Sequence, residues 1–147
     1  MIFLTGDTHG SVDMMKLSHK RWLQGKELTK KDYVIILGDF GVVFYPIDSQ
    51  TLKINDTEHY LLKFLNEAKF TTLFIRGNHD NTPRLNQYSN VPMFGSTVKQ
   101  ISDSVFYLLD AHVYTIEGNT FFTMGGAESI DKHQRKLGVT YWVEELP

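Results

Sequence analysis

Three short apolar runs in this 147-residue chain are each followed at once by a glycine and by polar side chains that can bind metal ions. None of the runs alternates with polar residues, which is typical of strands that are buried on both faces of a parallel sheet. Helical patterns separate the runs, so the sequence predicts a βαβαβ arrangement with right-handed crossovers. The predicted strands are residues 2–4, 34–37 and 73–75.

Capping residues predict where the helices begin. Ser11 is the candidate N-cap of a first helix, whose apolar face would extend to Trp22. Asp56 or Thr57 would cap a second helix between the second and third strands. Pro83 would take the first helical position of a third helix, because its fixed φ and missing N–H suit that position.

The second half of the chain changes character. Alternating or apolar segments at residues 105–109, 112–116 and 120–124 predict strands, and the Glu-Gly-Asn triplet at 117–119 predicts a hairpin turn. A short helix is expected near residues 131–137, ended by Gly138. No repeat or linker divides the chain, so the expectation is one α/β domain over residues 1–147, with a parallel first half followed by an antiparallel hairpin.

Composition restricts the possible functions. The net charge is −2 and there is no polybasic tract, so nucleic acid is not indicated as a partner. No apolar run is long enough to cross a bilayer, and the first one meets Gly6 and Asp7 too soon for a signal peptide. Cysteine is absent, so a metal ion would need nitrogen and oxygen ligands. A cytoplasmic protein without a membrane partner is the expectation.

The polar clusters after the three strands are expected to meet. Sites in open α/β sheets form outside the carboxyl ends of the strands, so the clusters would share one edge. Glycines permit the sharp turns that such a crowded edge requires. The clusters are Gly6-Asp7-Thr8-His9-Gly10, Gly38-Asp39 and Gly77-Asn78-His79-Asp80.

These residue types suit a site for two divalent cations. Asp7 and His9 are two residues apart in an extended segment, so both could reach one cation. Asp39 could bridge that cation to a second one, and Asn78 could offer its amide oxygen to the second. Carboxylate, imidazole and amide ligands suit Mn²⁺, Fe²⁺ or Zn²⁺ better than Ca²⁺. Two such ions activate a bridging water for attack on phosphorus and balance the charge that develops there.

The ordered motifs GDTHG, GDF and GNHD resemble those of the calcineurin-like metallophosphoesterase family. The tail GGAESIDKHQRK…YWVEELP is similar to that of a bacterial and phage branch of the family. The resemblance implies an αββα sandwich and the same four metal ligands. It also implies that His79 protonates the leaving group or steadies the transition state, and that Asp80 orients His79.

The sequence departs from the family pattern in its second half. The family also uses a histidine on a later strand and a Gly-His-x-His turn, and neither is present. The remaining histidines, none in such a context, are His19, His59, His112 and His133. A C-terminally truncated domain is therefore expected, with one metal ion bound well and a second bound weakly if at all.

The expected function is a metal-dependent phosphoesterase that hydrolyses phosphomonoesters or phosphodiesters through a metal-bridging hydroxide. The first alternative is a catalytically inactive metal-binding or interaction module, favoured by the missing histidines. The second is a nucleotide-binding α/β domain, which is disfavoured because the chain lacks both G-x-G-x-x-G and a P-loop lysine. Arg76 is expected to act as scaffolding in preference to binding phosphate, and residues 40–45 are expected to overhang the site.

Overall fold

The computed structural model describes residues 1–47 and 54–147. Its main element is a six-stranded sheet with the order β1-β2-β3-β6-β5-β4. The first four strands in that order are parallel, and β5 and β4 continue the sheet in antiparallel pairs. These six strands are β1 (Ile2–Thr5), β2 (Tyr33–Leu37), β3 (Thr71–Ile75), β4 (Ser89–Met93), β5 (Ser96–Ser102) and β6 (Val105–Leu108). The predicted parallel arrangement of the first three strands is confirmed.

Two further strands form a separate hairpin, β7 (His112–Ile116) and β8 (Asn119–Thr123). Glu117 and Gly118 connect them with φ values of 50° and 77°, the left-handed conformation at both positions that a two-residue hairpin turn requires. The predicted hairpin at this place is therefore confirmed.

Both faces of the main sheet bury apolar side chains, as β6 illustrates. Val105 and Tyr107 belong to the cluster that includes helix α1 (Asp56–Glu67), whereas Phe106 and Leu108 pack with Tyr114 and Ile116 of the β7–β8 hairpin. In the described part of the chain, the layers are thus helix, six-stranded sheet and two-stranded sheet. The α/β class is confirmed.

The β7–β8 hairpin covers only part of one face of the six-stranded sheet. Leu4 and Leu37 lie on the same face of the sheet as Ile35, which is buried under the hairpin. Leu4 is nevertheless 57% exposed and Leu37 45% exposed. The hairpin therefore covers the β3–β6 side of this face and leaves the β1 side open.

Both α-helices begin earlier than the sequence predicts. The N-cap of helix α1 is Asn55, and not Asp56 or Thr57 as expected. The side chain of Asn55 accepts a hydrogen bond from the Thr57 backbone N–H at 2.8 Å. The short helix α2 (Thr82–Leu85) has Asn81 as its N-cap, and Pro83 is its second residue, one position later than expected. No helix in the described ranges is long and apolar enough to span a membrane.

The predicted first helix, from Ser11 towards Trp22, is wrong. The segment forms two separate 3-10 turns, Met14–Leu17 and Leu23–Lys26. Its buried positions, Met14 and Leu17, are three residues apart, a spacing that one 3-10 turn satisfies. Val12 and His19, which lie at helical spacing along the expected apolar face towards Trp22, are exposed, so no continuous stripe stabilises an α-helix.

The predicted helix at 131–137 is also shorter than expected. Only Lys132–Gln134 forms a 3-10 turn, and none of its residues is buried. Without a buried face, nothing holds a longer helix against the sheet. Gly138 adopts a positive φ of 75° but lies four residues beyond the end of this turn, so it does not end the helix as expected.

Strands β4 and β5 were missed by the sequence prediction. Pro92 lies within β4, and proline argues against a strand except at a sheet edge, which is where β4 lies. The turn between the two strands uses Phe94 and Gly95, with φ values of 57° and 76°. A bulky residue with positive φ is unusual, so the sequence carries little signal for this turn.

Candidate metal centre

Backbone hydrogen bonds join the loops that follow β1 and β2. The N–H groups of Thr8 and His9 donate to the carbonyl oxygen of Asp39 at 3.2 and 2.8 Å. The N–H of Gly10 and the hydroxyl of Thr8 donate to the carbonyl oxygen of Phe40 at 3.0 and 2.9 Å. The first two polar clusters therefore lie side by side, as predicted from their places at the ends of neighbouring parallel strands.

The carboxylate of Asp80 joins the third loop to the second. Its oxygens accept backbone N–H bonds from Phe40 at 3.0 Å, Gly41 at 2.7 Å and Gly77 at 2.8 Å. The side chain is fully buried, and this burial raises its pKa to about 6 even though the three N–H donors favour the charged form. The carboxylate of Asp80 therefore binds the backbone of the loops. It was expected to orient the His79 ring, and its hydrogen bonds go to the backbone instead.

Three metal-competent side chains meet where these loops converge. Nε2 of His9 lies 3.2 Å from Oδ2 of Asp39, and the backbone N–H of His79 donates to Oδ1 of Asp39 at 2.9 Å. One ligand atom from each of the three residues can be chosen so that all lie within 4.8 Å of one another. In the described part of the chain, this is the one group of three or more histidine or acidic side chains with that spacing.

The backbone is unusual at two of these residues. His9 and Asp39 have φ values of 44° and 40°, in the left-handed region that residues other than glycine seldom adopt. Such conformations persist only where the surrounding structure enforces them. Here the hydrogen bonds between the loops do so, and they hold both side chains towards each other.

Gly77 is required by close contact at the same place. A Cβ atom on Gly77 would lie 1.9 Å from Oδ1 of Asp39 and 2.3 Å from its backbone nitrogen. No side chain fits at that distance, so only glycine lets the loop after β3 approach Asp39.

The other two predicted ligands, Asp7 and Asn78, lie beyond this three-residue group. Together with Asp39 they line a neighbouring cavity of about 300 Å³. The amide nitrogen of Asn78 donates to Oγ of Ser129 at 2.9 Å, which leaves the amide oxygen as the atom available to a cation. Asp39 is therefore the residue common to the three-residue group and to the cavity of Asp7 and Asn78.

His79 was expected to act on the leaving group. In the structure, one of its ring nitrogens also lies within 4.8 Å of ligand atoms of His9 and Asp39. Its Nε2 accepts a hydrogen bond of 2.8 Å from Arg135, whose guanidinium also pairs with Asp131 at 2.8 Å. Because arginine only donates, Nε2 carries no proton and the proton of the neutral ring is on Nδ1. Burial lowers the pKa of His79, and the positive charge of Arg135 lowers it further, while Asp39 acts in the opposite direction.

Arg135 is a site residue that sequence reasoning missed. It is separated from His79 by 56 residues, and the sequence shows only a segment rich in lysine and arginine. The one available signal was that Arg135 lies in the tail whose sequence is similar to that of a family branch.

Arg76 and the last residues of the chain form the support of the site. The Arg76 guanidinium is buried, pairs with Asp110 and donates to the carbonyl oxygens of Glu144 at 2.7 Å and Leu146 at 2.8 Å. These contacts agree with the scaffolding role expected for Arg76. Trp142 is buried and packs edge-on against Phe44, with ring centroids 5.2 Å apart.

The four remaining histidines do not join the group. His19, His59 and His133 are exposed, and Nδ1 of His112 lies 2.8 Å from the carbonyl oxygen of Asp110. The chain thus provides the ligands of its first three motifs without a histidine from the second half.

The fold and the site together define an α/β protein with a candidate metal centre at the carboxyl edge of its parallel strands. A family model, calcineurin-like phosphoesterase, matches residues 1–145, and the chain belongs to that family. This is a family of metal-dependent enzymes that act on phosphate esters. No curated protein and no solved structure matched the chain.

Proposed function

We propose that this protein is a metal-dependent phosphoesterase that hydrolyses phosphomonoesters or phosphodiesters. The observation that carries the proposal is the convergence of His9, Asp39 and His79 at the ends of three neighbouring strands. Membership of the calcineurin-like phosphoesterase family supports the reaction class.

The donor set fits a divalent transition metal. The imidazole nitrogen of His9 and the carboxylate of Asp39 are ligands that suit Mn²⁺, Fe²⁺ or Zn²⁺, and they are close enough to approach one cation. His79 lies beside them and is kept for proton transfer. Asp7, which the sequence was expected to place on the cation of His9, would instead share with the amide oxygen of Asn78 a second cation next to Asp39. When bound, such ions would supply an activated water and balance charge at phosphorus.

The protein's own groups would position the reaction. Asp39 is held by the His79 N–H and by the loop contacts of Asp80, so its carboxylate is fixed before a cation or substrate arrives. His79 is the residue we assign to leaving-group protonation. To donate a proton from Nε2, the ring must first part from Arg135, because that nitrogen is an acceptor in the present contact.

Hydrolysis of p-nitrophenyl phosphate and of its bis ester, with added Mn²⁺, tests the proposal. Asp39→Asn and His79→Ala should each lower the rate at least about a hundredfold, the order of magnitude seen when general acid–base or electrostatic groups are removed. Lys63→Ala is the matched control, because Lys63 is exposed on α1 and lies outside the site. Unchanged rates in both site variants would contradict the proposal.

The second candidate function is a binding module without turnover. Two contacts of the C-terminal segment favour it, because they already occupy candidate site residues. Arg135 donates to Nε2 of His79, and Ser129 accepts from the amide nitrogen of Asn78. Mn²⁺ binding that is abolished by Asp39→Asn, in a protein that hydrolyses neither ester, would support this candidate over the enzyme.

A further inference from the structure

A cavity of about 300 Å³ opens beside the candidate metal centre, on the side of His9 and His79. The loops after β1 and β2 and the first turns of α1 form its walls. The wall that lies away from the histidines combines polar groups with apolar or aromatic side chains, which are Val12, Phe44 and Tyr45 together with the buried Val42 and Leu61.

We propose that this cavity binds the organic group of the phosphate ester and selects an uncharged aromatic ring. The inference rests on the proposed function for its phosphate part, since the metal centre would hold the phosphoryl group. The cavity then lies where the ester group attached to that phosphorus would extend.

Aromatic side chains in fixed positions support this choice. Phe44 packs edge-on against Tyr45 and against the buried Trp142, in both cases with centroids 5.2 Å apart. Its ring is also nearly parallel to that of His79, at 22° and 6.5 Å. Phe44 therefore offers a held aromatic surface next to the candidate catalytic histidine, and aromatic rings bind one another in edge-on or offset arrangements.

Exposed apolar surface lies on the rim of the same cavity. Val12 is 77% exposed and Tyr45 is 49% exposed. Apolar groups grouped around a concave site with a few polar residues are typical of ligand-binding surfaces. A ring in the cavity would remove part of this surface from water.

The charges around the cavity argue against a charged ester group. Glu58 is the one carboxylate among the described lining residues, and both of its oxygens pair with Arg84, at 2.7 and 2.8 Å. Glu58 is 2% exposed, so it presents no free charge to a ligand. No lysine or arginine is found among the described lining residues.

The polar groups and the volume set further limits. Ser11 and Thr57 supply the hydroxyl groups of the wall besides that of Tyr45, too few to satisfy a sugar with many hydroxyl groups. About 300 Å³ is at the lower end of the range for small-molecule sites, which suits a compact ring system.

Direct binding of two non-hydrolysable phosphonates to the Mn²⁺-loaded protein tests the inference. Isothermal titration should show that phenylphosphonate binds about tenfold more tightly than methylphosphonate, because only the first buries a ring. Phe44→Ala should reduce this ratio to within about twofold, and Phe44→Leu should reduce it in part, since leucine keeps apolar bulk without the ring. Tyr60→Ala is the control, because Tyr60 is exposed on α1 outside the cavity.

Equal affinities of the wild-type protein for the two phosphonates would overturn the inference. So would a ratio that survives in both Phe44 variants when they are folded, as judged by circular dichroism. Failure of the proposed function is a different result, since it is seen as no ester hydrolysis, whereas the ratio of affinities is measured by binding alone.

Discussion

Nε2 of His79 accepts a hydrogen bond of 2.8 Å from the guanidinium of Arg135. The contact links the third polar motif to the C-terminal segment of the chain. It also fixes the tautomer of the histidine, because the arginine can only donate. The metal-free state thus holds His79 neutral, with its proton on Nδ1.

Arg135→Gln should raise the pKa of His79 in the metal-free protein. Burial is the main cause that lowers this pKa, and the charge of Arg135 contributes in the same direction. Removing that charge leaves the opposing effect of Asp39 in place, so protonation becomes easier. NMR titration of the imidazole C2–H signal measures the change. Lys136→Gln is the control at an exposed neighbouring position, and an equal pKa in both variants would refute the role of Arg135.

Asp80→Ala should destabilise the metal-free protein by about 3–5 kcal/mol, because three backbone N–H groups lose a buried acceptor. Asp80→Asn should cost less, since the amide oxygen can still accept from part of this set. Urea unfolding followed by circular dichroism gives both values. Equal stability of wild type and Asp80→Ala would show that the carboxylate does not hold the loops.

The pH dependence of stability should reveal the same carboxyl group. Its pKa is raised to about 6 in the folded protein from an ordinary value of 3.8, so between these values the folded state binds the proton more than the unfolded state does. The contribution of Asp80 to stability therefore falls as the pH rises through this window. The free energy of unfolding of wild type, relative to Asp80→Asn, should decrease from pH 4 to pH 6. An increase would contradict the raised pKa.

Gly77→Ala should damage the site more than it damages the fold elsewhere. The added Cβ would meet Oδ1 and the backbone nitrogen of Asp39, so the loops after β2 and β3 must separate. We expect Mn²⁺ affinity to fall at least about tenfold, because a shift of a ligand loop removes a well-placed carboxylate. Gly6→Ala controls for loss of a glycine, since no atom lies within 4 Å of that Cβ position and its backbone is not in the left-handed region. A Gly77→Ala protein with unchanged Mn²⁺ affinity would contradict the close packing.

The parallel strands and the meeting of their polar ends could be predicted from the sequence. Apolar runs that end in Gly-Asp or Gly-Asn carry both signals locally, and the structure confirms β1, β2 and β3 within two residues of the predicted bounds. The hairpin of β7 and β8 was also predictable, because Glu-Gly-Asn lies between two β-prone segments.

Other features depend on contacts that no local pattern records. The segment after β1 has apolar residues at helical spacing, but it forms a 3-10 turn that buries Met14 and Leu17. Strand β4 forms at the sheet edge despite Pro92, through pairing with β5. Asp80 and Arg135 reach partners 40 and 56 residues away, so their roles require the folded chain. The expected single domain and truncated C-terminus, the metal's identity, the phage-like branch and the cytoplasmic location stay predictions.

Calorimetric titration of the metal-free protein with Mn²⁺ tests the central claim most directly. We predict one tight site, with the second site weak or absent, and we predict that Asp39→Ala abolishes the tight site because Asp39 contacts both His9 and His79. Two tight sites in the wild-type protein would contradict the expected weak second site. A tight site that survives Asp39→Ala would contradict the metal centre itself.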